Sequence, residues 1–119
     1  MTEKEAKKLH HELWDWLSHN PSKMKRDWPG WKAVVHANYT VLVVHSNCFA
    51  CFVAKQRQES QGTAGMCENC PLKAIACYDG RNTTYYDKWC YYKSKNSKTT
   101  RSKYARLIRD SWTREVTPL

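Results

Sequence analysis

Residues 48–72 open with Cys48-Phe49-Ala50-Cys51 and close with Cys67-Glu68-Asn69-Cys70-Pro71-Leu72, fifteen residues separating the two cysteine pairs. A two-residue spacer lets both sulfurs of a turn face one ion at about 2.3 Å, and two such turns supply a tetrahedron of thiolates. The spacing predicts one zinc held by Cys48, Cys51, Cys67 and Cys70. A closed four-thiolate site has no open coordination position, so it stabilises and does not catalyse. Its binding free energy, on the order of 10 kcal/mol in small zinc modules, becomes folding free energy.

Two further cysteines leave an alternative open. Cys67, Cys70, Cys77 and Cys90 form a second, irregular four-sulfur set of the kind that holds iron–sulfur clusters. Cys77 and Cys90 are otherwise small buried apolar groups. His36 and His45 are near enough in sequence to be considered as ligands, although a strand histidine is more often an ordinary polar group.

Upstream of the first pair, residues 32–46 favour strand, because Val34, Val35, Tyr39, Thr40, Val41, Val43 and Val44 are β-branched or aromatic. A turn at Ala37-Asn38 gives a hairpin with strands near 32–36 and 39–45; one long strand is the alternative. Residues 21–31 read as irregular, with Trp28-Pro29-Gly30-Trp31 as a turn whose two rings either cap the core or form an exposed platform. Residues 2–19 read as an amphipathic helix. Thr2 and Glu5 make a Thr-x-x-Glu capping box, Ala6, Leu9, Leu13, Trp16 and Leu17 share a face, and Asn20-Pro21 stops it.

Downstream, residues 48–58 suit a short helix, residues 59–66 a loop, and Pro71 the start of a helix to about Tyr78 with Gly80 beyond it. Residues 83–95 read as a helix on the spacing of Tyr85, Trp89 and Tyr92. After a polar break, a last helix runs over 101–114 with Tyr104, Leu107, Ile108 and Trp112 on one face. The expected fold class is α+β: one small metal-stabilised domain over 1–119, mainly helical, with a short β-hairpin next to a four-cysteine zinc site. Its parts are an N-terminal helix (2–19), a hairpin and metal module (32–90) and a basic C-terminal helix (98–114).

The 119 residues suit one domain, and 13% aromatic content, with six Trp and seven Tyr, is not that of a disordered chain. The longest apolar runs, 41–44 and 48–54, are too short to cross a membrane. The charged start Thr2-Glu3-Lys4-Glu5 lacks the apolar region of a signal peptide, so the expectation is a cytoplasmic chain with reduced thiols, the cysteines being metal ligands before disulfides.

The net charge is +9, and it is concentrated. From Lys88 to Arg114 lie Lys88, Lys93, Lys95, Lys98, Arg101, Lys103, Arg106, Arg109 and Arg114, opposed only by Asp110. A basic helix with a Ser/Thr-rich approach suits phosphate contacts, and Tyr91 and Tyr92 are placed to stack on unpaired bases. Alternatives are a solvated helix face, or docking on an acidic, nucleic-acid-binding surface of another protein.

The chain has no nucleotide-binding Gly-rich loop, no Gly-x-Ser-x-Gly and no His-Glu-x-x-His, and the second cysteine pair has Pro after Cys70 and not before Cys67, unlike the Pro-Cys-x-x-Cys of a zinc deaminase. His10-His11 has no evident catalytic partner. These absences speak against an enzyme.

The run Cys48-x-x-Cys51, Cys67-x-x-Cys70-Pro71-Leu72, lone Cys77 and Tyr86-Asp87-Lys88-Trp89, with Trp14-x-Trp16 and Trp28-Pro29-Gly30-Trp31 before it, resembles small cysteine-rich proteins encoded by phages and prophages of Gram-positive bacteria. The resemblance covers about residues 14–90 and leaves out the basic tail. It implies a phage accessory role, such as blocking a host defence or transcription system. The expected function is therefore that of a zinc-stabilised nucleic-acid-binding accessory protein whose basic C-terminal helix contacts the phosphate backbone. The alternatives are an inhibitor that binds a host defence nuclease or transcription protein, and an iron–sulfur redox or sensor protein.

Overall fold

The computed structural model describes residues 2–36, 49–51, 53, 54, 56, 70–72, 74–77, 80–95 and 97–112. Four helices organise them: α1 (Glu3–His19), α2 (Trp31–His36), α3 (Tyr85–Ser94) and α4 (Lys98–Arg109). Short 3-10 turns lie at Lys25–Asp27 and Ala74–Ala76, and residues 49–51, 53, 54 and 56 are helical.

α1 begins where the sequence places it. The Thr2 hydroxyl accepts the Glu5 backbone N–H at 3.1 Å, satisfying a donor that the first turn leaves without a partner. At the far end the Asn20 amide donates to the Trp16 carbonyl at 2.8 Å. α3 is capped in the same way: Thr84 Oγ1 accepts from the Asp87 N–H at 3.1 Å. The Asp87 carboxylate in turn accepts the N–H of Gly80 at 3.0 Å and of Thr83 at 3.4 Å. It thereby fixes the turn in which Gly80 (φ 81°) and Asn82 (φ 57°) adopt left-handed backbone that glycine and asparagine tolerate best.

α4 packs against both α1 and α3. The core between them takes Leu13, Trp14 and Leu17 from α1, Trp89 from α3, and Ala105 and Ile108 from α4. Trp14 meets Trp89 edge to face, with ring centres 5.0 Å apart at 81°, and Tyr86 completes the group. The same core continues into a second aromatic group. Trp28 and Trp31 lie edge to face at 5.0 Å, and Phe49 packs on both. Trp28 and Trp31 are buried, so they cap the core and form no exposed platform. The Trp28 ring lies directly over Gly30, leaving no room for a Cβ there.

The fold class differs from the α+β expectation. Residues 32–36, read as a strand, belong to helix α2, and no strand occurs among the described residues; the one β-type contact there is an isolated bridge between Leu72 and Trp112. The Val34 N–H bonds to the Gly30 carbonyl at 3.2 Å, the i to i−4 pattern of a helix. Helical spacing puts Trp31 and Val34 on one side, where both are buried in the cluster that includes Phe49. That burial outweighs the strand preference of β-branched residues, which is mostly a preference for fitting a half-buried surface. The second expected hairpin strand, 39–45, lies outside the described residues. So does the loop 59–66. In place of a helix from Pro71 to Tyr78 the chain makes the Leu72 bridge and then the 3-10 turn.

Candidate functional site

The metal-stabilised part of the expected fold is also corrected. Among the described residues, no three or more His, Cys, Asp or Glu side chains group to hold an ion. Cys48 and Cys67 lie outside the described residues. Their expected partners stand on different elements: Cys51 is half-buried on the helical stretch, while Cys70 is buried as part of the hydrophobic core. Cys77 is half-buried after the 3-10 turn, and Cys90 faces outward on α3. Partial desolvation holds the Cys90 thiol above its ordinary pKa, against the pull of Lys25 and Arg101, so it is a neutral thiol. It lines a hollow of about 330 Å³, where the Asp87 carboxylate is already engaged by Gly80 and Thr83. His36 contributes backbone to α2, and His45 is outside the described residues.

The basic third of the chain is resolved into cations of different kinds. Arg101 is turned inward and is only 1% exposed. Its Nε donates to the Trp89 carbonyl at 3.0 Å, one terminal nitrogen donates to the carbonyls of Pro21 and Lys23, and the other approaches Met24 Sδ. The guanidinium also lies on the Trp89 ring. Burial lowers its pKa from the ordinary arginine value. Arg101 therefore ties residues 21–24 to α3 and α4. Arg109 is half-engaged, with bonds to Asp15 of α1 at 2.7 Å and to Asp110 at 2.9 Å. The hydrogen bond between Arg109 and Asp110 raises the arginine pKa and lowers that of the carboxyl. Arg114 lies outside the described residues.

The remaining cations face solvent: Lys93, Lys95, Lys98, Lys103 and Arg106 are exposed, and Lys88 is half-buried. They are interleaved with tyrosines. On α3 and its C-cap, Tyr85, Lys88, Tyr92 and Lys95 follow one another at spacings of three, four and three, a single helical stripe. Packing of α3 against α4 brings Tyr104 between Tyr85 (6.1 Å between ring centres) and Tyr92 (5.9 Å, with rings within 11° of parallel). Tyr91 extends the row, edge to face with Tyr92 at 5.2 Å between ring centres, and is 42% exposed. Lysine ammoniums sit over these rings: Lys103 at 5.7 Å and Lys88 at 6.0 Å from the centre of Tyr104, and Lys95 at 5.4 Å from Tyr91. Tyr92 also lines a cleft of about 130 Å³, together with Pro21, Ser22, Lys93, Ser97 and Lys98.

Sequence reasoning singles out Tyr91 and Tyr92 but reads Tyr85 and Tyr104 as packing positions. The three-four-three alternation of Tyr and Lys on α3 is the available signal; the place of Tyr104 in the row depends on how α3 meets α4.

A different buried group lies at the other face of α4. His10, fully buried on α1, donates from Nε2 to the Ile108 carbonyl at 3.0 Å and packs against Trp112. Its Nδ1 and the neighbouring His11 Nε2 have no hydrogen-bond partner among the described residues. Burial pushes the His10 pKa down to about 4, so the ring is neutral at physiological pH.

No protein-family model matches the chain, and no curated protein or solved structure is significantly similar to it. Among the described residues, no helix is long and apolar enough to cross a membrane.

Proposed function

We propose that the chain binds nucleic acid, with the exposed cations of α3 and α4 on the phosphate backbone. The observation that carries this reading is the tyrosine row at the α3–α4 seam with Lys88, Lys95 and Lys103 over its rings. Solvated lysines on an ordinary helix face need no aromatic neighbours. Here positive charge and π-surface alternate along one ridge, the combination by which proteins hold a polyanion that also carries flat rings. The charge balance supports it: between Lys88 and Trp112 the single carboxylate, Asp110, is engaged by Arg109. The reading does not depend on the cysteines.

The test is binding of labelled mixed-sequence oligonucleotides across a salt series. Neutralising several phosphates releases their counterions, so log K should fall linearly with log salt, by about 0.7 to 0.9 per phosphate contact. Lack of binding even at low salt would overturn the proposal and leave the ridge as a docking surface for an acidic protein.

A further inference from the structure

We infer that the ridge takes an unpaired strand, DNA or RNA, with bases stacked on the tyrosine row and a phosphate drawn toward the adjoining cleft. This rests on the nucleic-acid reading and adds the class of ligand. Tyr85, Tyr104 and Tyr92 are half-buried and Tyr91 is the more exposed, so each residue of the row keeps part of its surface open. A tyrosine ring can recognise a base by its face, and in a duplex those faces are hidden inside the stack, leaving only edges in the grooves. The ring spacing argues the same way. Successive centres at 6.1 and 5.9 Å are well beyond the about 3.4 Å rise per nucleotide of one strand in a duplex, so a strand laid along them must be drawn out and its bases separated.

The cations match that path. Lys88 and Lys103 flank the middle of the row, and Lys95 lies over its exposed end. Without a polyanion these ammoniums rest on the rings. Phosphates of a bound strand give them a stronger partner and leave the ring faces to the bases. Beside Tyr92, Lys93 and Lys98 line the cleft, so a backbone passing that ring meets two further cations.

The experiment compares one labelled oligonucleotide, about twelve nucleotides long to exceed a typical single-strand site, as a single strand and as a duplex, in DNA and RNA form, against the full chain. The expected result is at least about tenfold tighter binding of the single strand. Tyr104→Leu and Tyr92→Leu should each cost about tenfold on the single strand with little change on the duplex, while Tyr104→Phe, which keeps the ring, stays within about twofold of the unaltered chain. Should the leucine variants fail to fold, a strand carrying 5-iodouracil, cross-linked by light to the unaltered protein, gives the same information: attachment to the tyrosines of α3 and α4 supports the inference. Equal affinity for strand and duplex, or attachment confined to α1, would overturn it while the phosphate-backbone reading stands. Absence of binding to either form at low salt overturns both.

Discussion

The Arg101 guanidinium lies 4.1 Å from the centre of the Trp89 indole while its Nε donates to the carbonyl of the same residue. One side chain thus holds both the ring and the backbone of the residue at the middle of the core, and carries residues 21–24 on its other nitrogens. A lysine has neither the planar fork nor the donors to do this. Arg101→Lys should therefore lower the unfolding free energy by about 2–4 kcal/mol, the cost of leaving several buried carbonyls without a charged donor. Urea denaturation measures it. A loss of only about 0.5 kcal/mol, the size of an ordinary surface substitution, would mean that the arginine is not the tie between these elements.

His10 makes stability depend on pH. Its pKa is about 4 in the folded chain against an ordinary value of 6.5, so between those values the unfolded chain binds more protons. Stability is fully present above about pH 6.5 and is lost as pH falls toward 4, by up to roughly 3 kcal/mol from this group. His10→Gln keeps a donor for the Ile108 carbonyl and removes the titration. Denaturation at several pH values should show the gap between the two proteins narrowing as the medium is acidified. Parallel pH profiles would rule out His10 as the source.

Lys103 stands on the outward side of α4 over Tyr104. Lys103→Gln should weaken oligonucleotide binding and reduce the slope of log K against log salt by about one contact's worth. Lys7→Gln, an exposed change on α1, should leave that slope alone. Equal effects from both would show that the charge acts through the net field and not from the ridge.

Gly30 lies beneath the Trp28 ring with no space for a side chain. Gly30→Ala must displace the indole from Trp31 and Phe49, and should cost about 1–3 kcal/mol as an overpacked core. Thermal unfolding followed by tryptophan fluorescence reads both the loss and the altered ring environment. An unchanged melting temperature would show that the indole moves without penalty.

The parts of the fold legible in the sequence are those set by neighbours along the chain. Thr2 and Glu5, the apolar spacing of α1 and the Asn20-Pro21 stop all act within a few residues of one another. The spacing of Tyr85, Trp89 and Tyr92 on α3 is equally local. α2 is illegible because the local preference of Val34 and Val35 points to strand, while its helix is held by contact with the cluster around Phe49, well beyond it in the chain. Arg101 reads as one more surface cation; only the approach of Pro21 and Lys23, some 80 residues earlier, turns it inward. His10 reads as a polar residue on a charged helix for the same reason, since its acceptor, the Ile108 carbonyl, is 98 residues away. The cysteine pairs carry a strong local signal, and the structure describes only one member of each.

The separation between α1 and its principal partner α4 also bears on how the chain is made. Leu13, Trp14 and Leu17 are synthesised early, yet Ala105 and Ile108 that cover them come near the end of the chain. At ordinary rates of translation that interval is on the order of ten seconds. Until then the apolar face of α1 lacks the cover that α4 supplies. The nascent chain is thus open to chaperones or to self-association until α4 leaves the ribosome, and a message broken before Arg101 yields a product without the side chain that ties residues 21–24 to Trp89.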